Sequence, residues 1–126
     1  MSKFKSQGFS NTFKNARKGL RLVLKSEINI RVHFCVAGLI LLAAVLLGFS
    51  VTKICVLLLT ISAVICAEMV NSAIEFSLDA VFHNKYSKLV GMAKDIAAGA
   101  VMFTTFIAVA IGILLFLPPI AALFLK

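Results

Sequence analysis

Three long apolar runs, nearly free of charge, constrain the fold of this chain most strongly. The first covers residues 34–51, the second starts at residue 54, and the third covers residues 96–117. About 20 apolar residues in a row are enough to cross the hydrocarbon core of a bilayer as one helix. Of the 126 residues, 61% are hydrophobic and only 14% are charged, which excludes an ordinary soluble domain. We therefore expect an all-α membrane protein, built as a single domain with three transmembrane helices.

The second apolar run does not stop at the membrane surface. Its helical pattern continues into polar residues, so we expect one helix over residues 54–82 that extends into the cytoplasm. The polar residues 83–95 are predicted to form a cytoplasmic loop. Pro118 and Pro119 are predicted to mark the end of the third span, because proline interrupts the hydrogen bonds of a helix.

The first 31 residues form a basic arm with helical spacing. Four of its basic residues recur on one face of a helix: Lys14, Lys18, Arg21 and Lys25. A basic amphipathic helix beside a membrane span is typical of a helix that lies in the lipid interface. A net charge of +8 can indicate nucleic-acid binding, but this charge is confined to the arm and one loop beside the spans. We expect an anionic lipid surface, and no nucleic acid, as its partner.

The basic residues alternate between the two sides of the predicted spans. Eight lie in the first 31 residues and three in the 83–95 segment, whereas the first link contains only Lys53 and the C-terminus only Lys126. Cytoplasmic segments of membrane proteins are enriched in Lys and Arg. We therefore expect the N-terminus and the 83–95 segment inside the cell, and the C-terminus outside.

The placement of the acidic residues is the most informative feature of the sequence. There are five: Glu27, Glu68, Glu75, Asp79 and Asp95. Residues 68, 71, 75 and 79 follow one another at helical spacing, so the three acids of the second helix share one stripe with Asn71. Lys94, at the start of the third helix, is predicted to lie at the same cytoplasmic level.

Glu68 lies deepest among the acids. Counted from Ile54 at the outer surface, its position is roughly 21 Å into a hydrocarbon core of about 30 Å. A carboxylate inside the apolar region is costly and is by default a functional candidate. A solvated helix end explains Asp79 equally well, but it does not explain Glu68.

Several carboxylates, a lysine and a basic surface at the headgroup level suit one kind of chemistry. Mg²⁺ binds through one or two protein carboxylates plus substrate phosphates, and phosphoryl transfer needs such a cation and a base near the accepting hydroxyl. A lipid hydroxyl would lie at the level of Glu68. The sequence contains neither a P-loop nor a Gly-rich kinase loop, which excludes a soluble kinase fold.

Two segments carry a resemblance to a known family. Residues 68–75 read EMVNSAIE, with Asp79 after them, and residues 93–101 read AKDIAAGAV. Over residues 8–118 the chain resembles the prokaryotic diacylglycerol kinase family of small integral-membrane lipid kinases, which includes undecaprenol kinases. The resemblance implies a homotrimer of three-span subunits in the bacterial cytoplasmic membrane. It also implies active sites shared between neighbouring chains, with ATP and Mg²⁺ as the phosphate donor.

The resemblance implies a role for each matching residue. Glu68 would be the catalytic base that accepts the proton of the lipid hydroxyl, and Glu27 and Glu75 would bind the metal. The nucleotide would be contacted by Glu27, Glu75, Lys94 and Asp95.

The remaining matches belong to the surroundings of that site. Asn71 and Asp79 would complete its polar network, and Arg21, Arg31 and Glu68 would contact the lipid. The chain departs from the family pattern at three positions: Asn15 stands where Tyr is common, Lys85 where Glu is frequent, and Ser87 where His is frequent. These departures concern the adenine and ribose contacts, not the phosphoryl chemistry.

Two other classes of protein are alternatives to a lipid kinase. A small transporter or channel would need ionisable groups near the midplane of the membrane, and the outer halves of the predicted spans carry none. A structural membrane protein would not need the clustered acids. Among lipid kinases, the choice between diacylglycerol and undecaprenol stays open, because apolar pockets discriminate weakly, although residues 98–101 and 116–118 resemble the undecaprenol branch more closely.

Overall fold

A computed structural model describes residues 8–125 of the chain and folds them into helices, with no β-strand among those residues. The four helices are α1 (Phe9–Ser26), α2 (Ile28–Leu46), α3 (Val51–Phe82) and α4 (Lys88–Phe124). By length and composition, α2, α3 and α4 can each cross a membrane. The expected all-helical architecture with three candidate spans is therefore confirmed. The location of α1 on the membrane surface and the trimer stay predictions.

α1 and α2 meet at a corner formed by one residue. Glu27 has an extended backbone conformation. It is the C-cap residue of α1 and also the N-cap residue of α2. The Arg31 guanidinium reaches back over this corner and donates hydrogen bonds to the carbonyl oxygens of Leu24 (3.2 Å) and Lys25 (3.0 Å). Arg31 thus satisfies carbonyl groups that the end of a helix leaves without an intrahelical partner. The corner, and Glu27 with it, is fixed relative to α2.

The three apolar helices pack with α3 between α2 and α4. Their buried residues recur every seventh position: Ile30, Ala37 and Ala44 on α2, Leu57 and Val64 on α3, and Val90 and Ala97 on α4. This spacing is typical of helices that cross at shallow angles with interlocking side chains. The small alanines let neighbouring backbones approach closely, which is how helices commonly associate in membranes.

Most large apolar side chains of the single chain face outward. On α4 these include Phe103, Phe106 and Leu114, each exposed over more than half of its surface. In water such a surface would be a liability, but beside lipid tails there is no hydrophobic drive to bury it. The exposure agrees with a helix bundle surrounded by lipid or by further copies of the chain.

Aromatic and polar contacts close the end of the bundle at which α2 turns into α3. Gly48 adopts a positive φ of 68° in this link, a conformation that glycine tolerates without strain. Phe49 packs against Phe116 of α4 with ring centroids 4.8 Å apart, and the ammonium of Lys53 lies 5.2 Å from the Phe49 ring. The Ser50 side chain caps α3 by accepting a hydrogen bond from the backbone of Lys53.

The structure corrects the predicted loop at residues 83–95. Within this segment, only residues 83–87 lie outside helices, because α4 already begins at Lys88. The Ser87 hydroxyl accepts a hydrogen bond from the backbone N–H of Val90 and so caps the first turn. Lys94 and Asp95 therefore lie on a helix rather than on a loop.

As a helix, α4 continues through Pro118 and Pro119 to Phe124, beyond the predicted end of the third span at residue 117. Each proline removes one backbone hydrogen bond, but proline is tolerated within membrane helices, where local adjustments satisfy the freed carbonyls. With 37 residues, α4 is about 55 Å long, well beyond a hydrocarbon core of about 30 Å. The limits of the segments that lie within the membrane, including 34–51 and 96–117, stay predictions.

Candidate active site

The polar stripe of α3 begins inside the helix bundle. Glu68 and Ser72 follow Leu57 and Val64 on the face of α3 that is buried, and both are largely shielded from solvent. The side chain of Glu68 is only 11% exposed. Helical periodicity thus carries a carboxylate along the line that otherwise holds apolar core residues. Glu68 is thus buried within the described part of the chain, whereas its depth in the membrane and its catalytic role stay predictions.

Glu68 is paired with a residue that the sequence analysis did not single out. The Nε2 atom of His33, on the second turn of α2, lies 3.2 Å from Oε1 of Glu68. The His33 side chain is 28% exposed, more open than its partner. The pairing had a sequence signal: His33 opens the first span, and the antiparallel second span ends near Glu68, so both lie at the same level.

One and two turns further along α3, a second polar pair occupies the same stripe. The Asn71 amide donates a hydrogen bond from Nδ2 to Oε1 of Glu75 at 3.2 Å. The amide oxygen of Asn71 is buried and finds no hydrogen-bond partner within residues 8–125. A buried acceptor without a partner carries a free-energy cost. It is available to a bound donor or cation beside the Glu75 carboxylate.

The polar end of α3 is joined to α4 by an ion pair. Nζ of Lys94 donates to Oδ1 of Asp79 at 2.6 Å. Both side chains are about one third exposed and line a hollow of about 270 Å³. The other lining residues are Asn84, Lys85, Tyr86, Val90, Gly91 and Asp95.

This hollow combines two lysines, two carboxylates and an aromatic ring. The Tyr86 ring lies over Gly91, where a Cβ atom would be only 3.0 Å from the tyrosine hydroxyl. A side chain at position 91 would therefore crowd the Tyr86 ring, whereas Gly91 leaves space for it. The mixture of cationic and anionic groups around a planar ring suits a phosphate-bearing ligand with a flat base.

A second cavity, of about 340 Å³, is a groove between the three long helices. It is lined almost entirely by apolar side chains and runs from Val32 and His33 at one end to Gly112 and Phe116 at the other. His33 thus belongs both to this groove and to the pair with Glu68. An apolar groove with a buried carboxylate next to His33 at one of its ends is suited to a long hydrocarbon chain with a polar head.

The single chain does not bring all the predicted site residues together. The side chain of Glu27 is half-buried at the corner and makes no ion pair or hydrogen bond within residues 8–125. Arg21 is exposed on α1, and Arg31 is engaged with the carbonyls of α1. Asp95 is exposed on the wall of the hollow. The five acids therefore do not form one cluster within the described part of one chain.

The residues present fit Mg²⁺, although residues 8–125 hold no group of three His, Cys, Asp or Glu arranged around a metal position. Mg²⁺ prefers oxygen ligands and is usually held by one or two carboxylates together with substrate phosphates. Glu75 supplies such a carboxylate, and the buried amide oxygen of Asn71 is a second hard donor beside it. A site completed by phosphate oxygens needs no third acid from this chain.

Fold and site together define a helical membrane protein with a buried carboxylate where an apolar groove meets a charged, partly open end. That is the arrangement expected of an enzyme that acts on the polar head of a lipid. The model of the prokaryotic diacylglycerol kinase family matches residues 14–116, and the chain belongs to this family. Three candidate spans and membership of a prokaryotic family describe a multi-pass bacterial membrane protein.

Two relatives carry the names of lipid kinases. A diacylglycerol kinase from Synechocystis sp. is 34% identical over 112 residues, which is 89% of this chain and 64% of the relative. An undecaprenol kinase from Bacillus subtilis is 33% identical over 110 residues, covering 87% of this chain and 89% of the relative. The chain thus spans somewhat less than two thirds of the first relative. The expected family is confirmed.

Proposed function

We propose that this protein is an ATP- and Mg²⁺-dependent kinase that phosphorylates the hydroxyl group of a membrane lipid. The observation that carries the proposal is the position of Glu68, a buried carboxylate at the junction of the apolar groove and the polar stripe of α3. A purely structural protein gives no reason for a carboxylate at this junction, and a transporter would be expected to carry ionisable groups near the midplane of the membrane. Family membership supports the same activity.

Glu68 is assigned the role of catalytic base. A lipid whose chain lies in the groove brings its hydroxyl to the His33 end, next to Glu68. The carboxylate accepts the hydroxyl proton as the lipid oxygen forms a bond to the γ-phosphorus, while the bond from that phosphorus to the bridging oxygen of ATP breaks. Lipid phosphate and ADP are the products. A positioned base of this kind contributes about 10²- to 10⁴-fold in rate.

Glu27 and Glu75 are assigned to Mg²⁺, and with it to the phosphates of ATP. The bound cation would neutralise charge that develops on the transferred phosphoryl group. Asn71 orients the Glu75 carboxylate through its 3.2 Å hydrogen bond, which leaves the second carboxylate oxygen of Glu75 free. The unpartnered amide oxygen of Asn71 supports a ligand at this place.

The nucleotide is assigned to the hollow between α3 and α4. Lys94 supplies a cation for phosphate oxygens and is oriented by Asp79, and Asp95 lies on the same wall. Ser87 and Lys85, which replace residues common in the family, lie at the start of α4 and on the hollow. The contacts to adenine and ribose consequently differ from those of relatives that have His and Glu there.

The lipid is either diacylglycerol or undecaprenol, as the names of the two relatives suggest. The groove is apolar along its length and therefore discriminates only weakly between different hydrocarbon chains. Arg21 and Arg31 are assigned to the lipid headgroup region. Arg31 has donors left for this role, because only one of its terminal nitrogens bonds the α1 carbonyls.

The active protein is proposed to be a homotrimer whose sites combine residues of neighbouring copies. Three features support this: Glu27 without a side-chain partner in the described part of the chain, the orphaned Asn71 oxygen, and the exposed apolar faces of α4. We further propose the topology predicted from the lysine and arginine distribution, with the N-terminus in the cytoplasm and the C-terminus outside.

Purified protein in detergent micelles, given ATP and either diacylglycerol or undecaprenol, tests this function directly. We expect transfer of labelled γ-phosphate to at least one lipid, with the ratio of the two rates naming the preferred substrate. Chromatography coupled to light scattering reports the oligomer in the same preparation. If a trimeric preparation transfers no phosphate to either lipid, the proposed activity is wrong.

A further inference from the structure

The carboxylate proposed as the base has one side-chain partner within residues 8–125, and that partner is His33. The two groups come from different helices, with Glu68 on α3 and His33 on α2. Their distance of 3.2 Å is within hydrogen-bond range. A histidine beside a buried carboxylate satisfies a charge that would otherwise be expensive in the apolar interior.

The chemistry of the two groups fixes which atom donates. An ionised carboxylate can only accept hydrogen bonds, so Nε2 of His33 must carry the proton in the state in which Glu68 acts as a base. The bond engages Oε1 and leaves Oε2 of Glu68 free. The hydrogen bond thereby restrains the rotation of the carboxylate, because one of its oxygens is held by a residue of α2.

We propose that His33 is a positioning residue of the kinase reaction, one that holds the Glu68 carboxylate so that its free oxygen meets the lipid hydroxyl. The inference rests on the proposed function, since it assigns His33 to the same step. The hydroxyl proton moves to Oε2 of Glu68, the lipid oxygen bonds to the γ-phosphorus, and the oxygen that bridges to ADP leaves with the electron pair of the broken bond. His33 exchanges no proton in this step.

The location of His33 in the apolar groove gives it a second relation to the substrate. Its ring is part of the groove wall, beside Val32 and Val36, and it is the ionisable residue of that wall. A lipid chain in the groove therefore brings its polar end past His33 to Glu68. A residue that both lines the lipid path and holds the base is well placed to align the two reacting groups.

The second histidine of the chain provides a contrast. His83 ends α3 in a left-handed conformation (φ 50°, ψ 40°) and is exposed. It lines neither the apolar groove nor the hollow beside Lys94. A loss of activity that follows replacement of His33 but not of His83 is therefore specific to the location of His33.

Two replacements of His33 test the proposal, because their amide nitrogens lie near different nitrogens of the imidazole ring. The amide nitrogen of His33→Gln lies near the position of Nε2 and can still donate to Glu68, whereas that of His33→Asn lies nearer Nδ1 and falls short. We expect His33→Ala and His33→Asn to lower kcat by about 10- to 100-fold, as expected for a misplaced reacting group. We expect His33→Gln to recover most of the loss, and KM for ATP to stay within about twofold throughout, because the nucleotide site is separate.

His83→Asn is the matched control and should keep the activity of the unaltered protein, since asparagine tolerates a left-handed backbone. Helix content and oligomeric state are measured for every variant. Equal kcat for His33→Ala and the unaltered protein would overturn the proposal, as would equal recovery by His33→Gln and His33→Asn, which would indicate packing alone. Absence of activity in the unaltered protein would instead overturn the proposed function.

Discussion

The ammonium of Lys94 lies 2.6 Å from the carboxylate of Asp79 and ties the second turn of α4 to the polar end of α3. With side chains 33% and 39% exposed, the pair is screened by solvent and contributes little to stability, on the order of 0–1 kcal/mol. The main effect of the ion pair is to fix the position of the Lys94 side chain. Asp79 holds the lysine cation at the wall of the hollow assigned to the nucleotide.

Replacement of Lys94 by Ala is predicted to impair catalysis much more than stability. If Lys94 is the cation of the phosphate site, as proposed, its loss should lower kcat about 10²- to 10³-fold. The melting temperature should change little, because both side chains of the ion pair are about one third exposed and screened by solvent. Steady-state kinetics with varied ATP and a thermal unfolding curve check the two expectations.

Lys88→Ala serves as the control for Lys94→Ala. Lys88 is exposed at the start of α4 and does not line the hollow. Its loss should leave kcat unchanged within about twofold, as expected for an exposed charge that touches nothing in the site. Similar losses in both variants would contradict the role assigned to Lys94, since they would point to the overall positive charge instead.

Filling the apolar groove is predicted to weaken lipid binding selectively. Ala108 lines the groove, and Ala108→Phe would place a ring into its volume of about 340 Å³. We expect KM for the lipid to rise by about 10-fold or more, in line with the loss of one to three kcal/mol of apolar contact. KM for ATP should not change. The same substitution at the exposed Ala110, outside the groove, should change neither value.

Arg31→Lys is predicted to loosen the corner between α1 and α2. Lysine keeps the charge but cannot reproduce the geometry of a guanidinium that bonds the carbonyls of Leu24 and Lys25 together. Amide hydrogens in the last turn of α1 should then exchange faster, by about 5- to 10-fold for a net loss of about 1 kcal/mol. Hydrogen exchange measured by mass spectrometry on residues 20–27 checks this. Unchanged exchange would show that Arg31 does not hold the corner.

Metal dependence gives a separate prediction for Glu75. Chelation with EDTA should abolish phosphate transfer, and added Mg²⁺ should restore it. Glu75→Gln should raise the Mg²⁺ concentration needed for half-maximal activity by about 10- to 100-fold, because a charged oxygen ligand is lost. Full activity in excess EDTA, or a Glu75→Gln variant with the same Mg²⁺ requirement, would contradict the metal assignment.

Helical periodicity explains why the polar stripe of α3 could be predicted from the sequence. The spacing of the three acids and Asn71 fixes them on one stripe of any α-helix, and in the structure Asn71 donates a hydrogen bond to Glu75 along that stripe. The three candidate spans followed from length and apolar composition alone. These features depend only on local geometry, which the sequence specifies directly.

Contacts between helices were harder to predict. The pairing of His33 with Glu68 depends on how α2 and α3 pack, and a single histidine in a span gives no periodic signal. The predicted 83–95 loop was too long, because polar residues such as Lys88 and Lys94 suggested a loop. In the structure both residues lie on α4, whose first turn is capped by Ser87. The prolines at 118 and 119 were predicted to mark the end of the third span, and the helix itself continues past them because membrane helices tolerate proline.

Phosphate transfer by the Glu68→Gln variant tests the central claim most directly. Glutamine preserves the size of the side chain and can still hydrogen bond to His33, but it cannot accept the hydroxyl proton. We predict that the variant inserts and assembles like the unaltered protein and binds ATP with similar affinity, while its kcat falls by at least about 100-fold. A Glu68→Gln variant that phosphorylates lipid at the unaltered rate would contradict the assignment of Glu68 as the catalytic base.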